Sequence, residues 1–67
     1  MKYKIYGVKL DRLISIFTIM HINYTILSIT PEYIIVDFSN NSFRSLKKLF
    51  LFFHHANTQI ENTIWSE

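Results

Sequence analysis

The sequence predicts a small α+β fold, a two-layer βαββα domain, and three observations support this prediction. The chain has 67 residues, which is the size of one small domain. Stretches rich in β-branched and aromatic residues alternate with stretches whose apolar residues recur every three or four positions. One glycine and one proline leave little sequence for linkers, so residues 1–67 are expected to form a single domain.

The first two elements are a strand and a helix. Polar and apolar side chains alternate over residues 2–8, which is typical of a strand with one wet face. The spacing then changes to three and four, and the apolar stripe of a helix consists of Leu10, Leu13, Ile14, Phe17 and Met20. Asp11 lies near the positive end of this helix dipole, and Asn23 is the expected stop.

Two further strands are predicted over residues 24–29 and 33–39, because both stretches are rich in β-branched and aromatic residues. Pro31 lies between them in a short turn, so the strands should pair as an antiparallel hairpin. Alternation places Phe38 on the core face of the second strand and Asp37 on the opposite face.

A second helix is expected to follow Asn40-Asn41-Ser42, which ends the strand and offers a helix cap. Its core stripe is predicted to be Phe43, Leu46, Phe50 and Phe53, with Leu49 and Ala56 beside it. The helical pattern extends to Phe53. Residues 58–65 fit either a continued helix or a short last strand.

These elements assemble most simply as a split βαβ arrangement with sheet order 1-3-2. A right-handed crossover places the first helix on one face of the sheet, and the second helix is expected on the same face. If residues 58–65 form a fourth strand, the fold becomes ferredoxin-like. This architecture hosts many unrelated functions, so it carries almost no functional information.

Composition limits the classes of function. The chain has no cysteine, so it has no disulfide or thiolate metal site. Its net charge of +2 argues against a DNA mimic, which would be strongly acidic, and gives only weak support to a nucleic-acid binder. Ile, Lys, Asn, Phe and Tyr supply 31 of 67 residues, which favours an AT-rich genome such as that of a low-GC bacterium or its phage. No signal-peptide pattern is visible near the start, and a cytoplasmic location is expected.

One stretch is long enough to cross a membrane. Leu13 to Pro31 contains no charged residue, which allows the hypothesis of a single-span membrane microprotein. His21, Asn23 and Tyr24 would then lie near the bilayer centre, where polar groups are disfavoured. The α+β domain is therefore the preferred prediction over a membrane-spanning segment.

No catalytic, cofactor or metal motif can be defended. Asp37 is a carboxylate in an apolar stretch without an identifiable partner, and one glycine cannot build a phosphate loop. His54 and His55 are adjacent, so on a helix they diverge by about 100° and cannot hold one metal as a pair four residues apart would. The sequence predicts a protein that is not an enzyme and needs no cofactor.

The second helix carries a candidate partner-binding patch on its outer face. Leu51 falls outside the core stripe, Phe52 lies on its margin, and basic residues and histidines surround them. The patch consists of Arg44, Lys47, Lys48, Leu51, Phe52, His54 and His55. Contiguous exposed apolar area usually marks a partner site. On the first helix, Ile16, Ile19 and Ile22 also lie off the stripe, so either the second helix or another chain should cover them, and we expect the second helix.

The prediction is a small non-enzymatic protein-interaction module that acts as an inhibitor, adaptor or accessory subunit. A phage-encoded inhibitor of a host or defence factor fits its size and composition. The sheet edge could also accept a partner strand, and a homodimer would bury the patch. The alternative is a nucleic-acid-binding module that uses the basic helix 43–55 and stacks bases on tyrosines of the open sheet face, namely Tyr3, Tyr6, Tyr24 or Tyr33.

Overall fold

A computed structural model describes residues 1–63 and contains six elements of secondary structure. They are β1 (Lys2–Tyr6), α1 (Leu10–Met20), β2 (Thr25–Ile29), β3 (Tyr33–Asp37), α2 (Phe43–His55) and β4 (Ile60–Asn62). The predicted order is confirmed, although β1 and β3 are each two residues shorter than expected. The tail forms a strand rather than more helix, and residues 64 and 65 of the predicted fourth strand lie outside the described residues.

The four strands form one sheet in the order β2-β3-β1-β4, and every neighbouring pair is antiparallel. Strands β1 and β2 of the first βαβ unit are therefore parallel with β3 between them, and strands β3 and β4 of the second unit are parallel with β1 between them. This confirms the split βαβ arrangement and the order 1-3-2, and β4 adds the outer strand that makes the topology ferredoxin-like.

The core lies between the sheet and the two helices, which share one face. Inward-facing residues of β1 and β3, the residues that follow α1 and β3, and one stripe of each helix are buried. They are Ile5, Leu13, Phe17, Ile22, Ile34, Val36, Phe38, Leu46, Leu49 and Phe53. The alternation predicted for β3 is confirmed, because Ile34, Val36 and Phe38 face the helices.

Helix α1 stops at His21, two residues before the predicted stop, Asn23. His21 adopts a left-handed conformation with φ 56° and donates its backbone N–H to Thr18 at 3.3 Å. The next N–H, of Ile22, bonds to the Phe17 carbonyl at 2.9 Å, and this turn buries the Ile22 side chain. Asn23 is therefore not the stop; it instead joins α1 to the loop before α2.

Helix α2 begins as predicted, because the Ser42 hydroxyl accepts the Ser45 N–H at 3.1 Å. Its buried stripe is Leu46, Leu49 and Phe53, whereas Phe50 is half-buried against the core. The prediction was wrong for Phe43 and Ala56, which are exposed. Phe43 is the first residue of α2 and Ala56 follows its last residue. Both therefore lie at the ends of the helix, beyond the buried residues Leu46, Leu49 and Phe53.

The outer side of α1 is not fully covered. Ile16 is half-buried, but Ile19 is 76% exposed, so the expectation that the second helix covers it is wrong. The uncharged stretch from Leu13 to Pro31 is divided among α1, a loop and β2. Within residues 1–63, no helix has the length and apolar character needed to cross a membrane.

Candidate functional site

All seven residues of the predicted patch on α2 are exposed. Leu51 is 49% exposed and Phe52 is 38% exposed, so neither belongs to the core. They do not form one surface, however. Successive residues of a helix are rotated by about 100°, so Leu51 and Phe52 diverge, and only Leu51 joins a larger apolar depression.

This depression lies between the start of β1 and the first two turns of α2, and we call it the α2 groove. Its volume is about 370 Å³, and it is lined by Met1, Tyr3, Phe43, Leu46, Lys47, Phe50 and Leu51. Phe43 is 83% exposed and Met1 is 57% exposed, which makes them the most open apolar side chains of its lining.

The floor of the α2 groove is built from aromatic rings. The Tyr3 ring centroid lies 5.1 Å from that of Phe50 and 5.8 Å from that of Phe38. Phe38 is fully buried, so the floor is continuous with the core and cannot shift freely. The floor of the α2 groove is therefore held in a fixed shape by the core, whereas Phe43 and Met1 at its margin are exposed to solvent.

Sequence reasoning identified Leu51 and Lys47 but missed the other exposed half of the groove. It assigned Phe43 to the core because the residue continues the three-and-four spacing. Its position directly after the cap Ser42 was a signal that it could be exposed, since a side chain in the first turn of a helix can extend beyond the edge of the core. Tyr3 was assigned to the open sheet face, although its alternation with Ile5 indicates the inner face, and its contact with α2 depends on tertiary packing.

The charge on α2 has one sign. The helix carries Arg44, Lys47 and Lys48 and contains no acidic residue. All three cations lie in its N-terminal half, and Arg44 lies in the first turn, where the helix dipole disfavours positive charge. Among residues 1–63 none of them forms an ion pair with a carboxylate. The histidines His54 and His55 occupy the last turn, where the dipole favours them as expected.

The open face of the sheet is a different surface, on the side opposite the helices. Tyr6 and Tyr33 pack there with ring centroids 5.5 Å apart, and the Lys4 ammonium lies 4.7 Å from the Tyr33 ring centroid. The Tyr6 hydroxyl donates to Glu61 at 3.1 Å. Slight desolvation and this hydrogen bond to the carboxylate raise the pKa of Tyr6.

Two tyrosines predicted for the open face are elsewhere. Tyr3 is part of the floor of the α2 groove, and the Tyr24 ring lies 4.8 Å from that of the buried Phe17. The open face thus keeps only two of the four candidate stacking rings, and both already have neighbours.

Asp37 lies on the open face as predicted and is surrounded by donors. The Ser39 hydroxyl donates to Oδ1 at 2.9 Å, and the Met1 amino group lies 3.2 Å from the same oxygen. The hydrogen bond from Ser39, followed by that from the amino group, lowers the pKa of Asp37. General acids need the opposite shift at neutral pH, so this environment does not prepare Asp37 for proton transfer.

The lowered pKa makes a prediction about acid stability. Because Asp37 binds its proton less readily in the folded chain, its contribution is complete above the unfolded-state pKa of about 3.9 and is lost as pH falls through the lower folded-state pKa. Asp37→Asn should therefore lower the free energy of unfolding at pH 7, and its difference from the wild type should shrink by pH 2.5. Urea titrations at the two pH values measure this. A difference independent of pH would contradict it.

The sheet offers a second exposed apolar region at its β2 edge. Leu27 and Ile29 are exposed, and the strand carries no charged residue. The pairing of β2 with β3 shifts register between Ile26 and Ser28, and such irregularities hinder the addition of another strand. This edge is therefore a weaker candidate for partner binding than the α2 groove.

The histidine pair does not assemble a metal site. The His54 and His55 rings have centroids 5.8 Å apart at the end of α2. In the described part of the chain, no group of three or more His, Cys, Asp or Glu side chains is placed to hold a metal ion.

The fold and the site define a small α+β domain that presents an apolar groove beside a basic helix face. The chain matches no protein-family model, no curated protein sequence and no solved structure. Its function must therefore be argued from its own residues.

Proposed function

We propose that this chain is a non-enzymatic protein-interaction module, an inhibitor, adaptor or accessory subunit that binds another protein through the α2 groove and the adjoining basic residues of α2. The observation that carries the proposal is the exposure of Phe43, 83%, beside Met1 and Leu51 in one apolar depression. Contiguous apolar surface with a polar rim is typical of protein-binding sites.

The size of the domain strengthens this argument. A chain of 67 residues buries only about 60% of its unfolded surface, so leaving Phe43 and Leu51 in water forgoes stabilisation that a small domain needs. Covering one such side chain is worth about 1.5–3 kcal/mol. A partner that covers the α2 groove would recover this stabilisation, and a function that requires binding explains why the residues are apolar.

Nucleic-acid binding is the second candidate, favoured by the acid-free row of Arg44, Lys47 and Lys48. Such a module would use the basic residues of α2 and the tyrosines of the open sheet face. These lie on opposite sides of the molecule, because the helices cover one face of the sheet and Tyr6 and Tyr33 occupy the other. The tyrosine face also carries acidic Asp37 and Glu61. One strand of nucleic acid cannot contact both parts without wrapping the domain, so protein binding has more support.

The test compares matched aspartate substitutions. Phe43→Asp and Leu51→Asp should abolish capture of a specific protein from lysate of the natural host, with capture identified by mass spectrometry. The control is Ile19→Asp, the same change at an exposed position of α1. Circular dichroism should show that all three variants fold, because each replaces an exposed residue.

Two results would contradict the proposal. Equal capture by the folded groove variants and by the control would show that the α2 groove is not the contact surface. Capture of nucleic acid, with an affinity that falls steeply as salt rises and is lost in Lys47→Glu, would favour the nucleic-acid alternative instead.

A further inference from the structure

We infer that the α2 groove accepts an acidic, amphipathic helical segment of the partner protein, with apolar side chains in the groove and carboxylates on the basic residues of α2. This inference rests on the proposed function and adds the chemical class of the ligand. The charge of α2, the length of the groove and the charge repulsion between two copies of the chain support it.

The Arg and Lys residues of α2 lie near its N-terminal end. Arg44 lies in the first turn of α2, and Lys47 and Lys48 follow within the next turn. The helix dipole disfavours Arg44, because its effect is confined to the first turn, and none of the three is paired with a carboxylate in the described chain. Local rules of helix stability are typically broken at functional sites. A ligand with carboxylates would reverse the penalty, because it supplies the missing negative charge.

Lys47 connects the charge to the groove. It is exposed and is one of the residues that line the depression, between Phe43 and Leu51 in sequence. A ligand that places an apolar side chain on Phe43 or Leu51 therefore brings its neighbouring residues within reach of this ammonium group. Acidic residues beside apolar anchors would match this arrangement.

The length of the groove fits a short helix. Phe43 and Leu51 are eight positions apart on α2, which corresponds to about 12 Å along its axis. A partner helix with apolar residues at positions i, i+4 and i+7 spans about 10 Å between its first and last anchors. Such a segment would place its anchors over two turns of α2, as in other helix-in-groove complexes.

A second copy of the chain is a poor occupant of this surface. A symmetric dimer through the α2 groove would bring the two α2 helices together, and each carries Arg44, Lys47 and Lys48 without an acidic residue. Like charges in one interface oppose association. The groove therefore favours a partner of opposite charge over itself.

The experiment uses three fluorescein-labelled peptides and the full chain. The first is a designed helix with leucines at i, i+4 and i+7 and glutamates on its flanks. The second keeps the leucines and replaces the glutamates with lysines, and the third keeps the glutamates and replaces the leucines with serines. Fluorescence anisotropy measures their dissociation constants at two salt concentrations.

The acidic leucine peptide should bind at least about tenfold tighter than either control peptide, which corresponds to two modest charge pairs or one buried leucine. Phe43→Asp should abolish its binding. The double variant Lys47→Glu, Lys48→Glu should reverse the preference, so that the lysine peptide binds more tightly. This reversal is not expected of a variant that has merely lost stability.

Three outcomes would overturn the inference. The first is equal or tighter binding of the lysine peptide to the wild type. The second is a concentration-dependent dimer in sedimentation that Phe43→Asp dissolves, which would make a second copy the occupant. The third is a red shift of the emission of Trp65, the single tryptophan, in Phe43→Asp, which would assign the groove to the chain's own last residues. If protein capture still depends on Phe43 and Leu51, the first outcome leaves the proposed function standing.

Discussion

Phe38→Ala is expected to lower the free energy of unfolding by about 3–5 kcal/mol, as large-to-small changes of buried phenylalanines do. A domain of this size has a total stability on the order of 3–10 kcal/mol. The substitution should therefore leave a large unfolded fraction at 25 °C or prevent folding altogether. Urea or thermal unfolding followed by circular dichroism measures the change.

The physical reason is the position of Phe38 at the centre of the aromatic core. Its side chain is completely buried, and its ring centroid lies 5.4 Å from Phe17, 5.8 Å from Tyr3 and 6.3 Å from Phe50. These partners come from α1, β1 and α2, so the ring joins three elements. Removing it leaves a cavity that cannot collapse without moving both layers.

The matched control is Phe43→Ala, which makes the same substitution at an exposed position of α2. It should change stability by no more than about 0.5 kcal/mol, as is usual for surface positions. Comparable destabilisation by the two substitutions would mean that Phe43 is packed, and it would remove the α2 groove as a candidate site. The pair thus tests the core and the site together.

The sequence predicted the fold well because its signals are local. Alternation in KYKIYGV and in residues 33–39, and the change of period at Leu10, are properties of single elements and need no knowledge of packing. The sequence did not decide between helix and strand for residues 58–65, because the signal for the last strand is not local. Three residues of β4 are too few to establish a period, and their pairing with Tyr3, Lys4 and Ile5 is a tertiary contact.

The candidate site was only partly predictable. Leu51 was found because a helical wheel places it opposite Leu46 and Leu49, and this holds in the structure. Phe43 was missed because a wheel gives the angle of a residue but not its distance along the helix axis from the covering layer. Met1 was missed because its approach to α2 follows from the placement of α2 beside β1, which the sequence does not encode locally.

The side chain of Asn41 joins the loop that follows α1 to the loop that precedes α2. Its amide nitrogen donates to the carbonyl oxygens of Asn23 at 2.7 Å and of Phe38 at 2.8 Å, and its oxygen accepts the Asn23 N–H at 2.8 Å. These bonds join the end of the α1 segment to the start of the α2 segment. Asn41 thereby helps to fix both helices over the sheet.

Asn41→Ala is expected to lower the free energy of unfolding by about 2 kcal/mol, because three hydrogen bonds are lost and each contributes a net 0.5–1.5 kcal/mol, partly replaced by water. The control is Asn40→Gly. Asn40 has a left-handed backbone with φ 69°, which glycine accepts, and its contact with Asn23 uses its backbone carbonyl. The control should therefore remain close to the wild type in urea unfolding.

Asn41→Asp separates the hydrogen-bond explanation from a general loss of packing. Aspartate keeps the shape of the side chain and can still accept the Asn23 N–H, but at neutral pH it turns a carboxylate oxygen toward two carbonyl oxygens. This raises the folded-state pKa of the new carboxyl group above the unfolded value of about 3.9, so the deficit relative to wild type is complete at pH 7 and shrinks as pH falls through the folded pKa, where a protonated oxygen can donate again. A deficit that is the same at pH 7 and pH 3 would show that Asn41 acts through its shape and not through its donors.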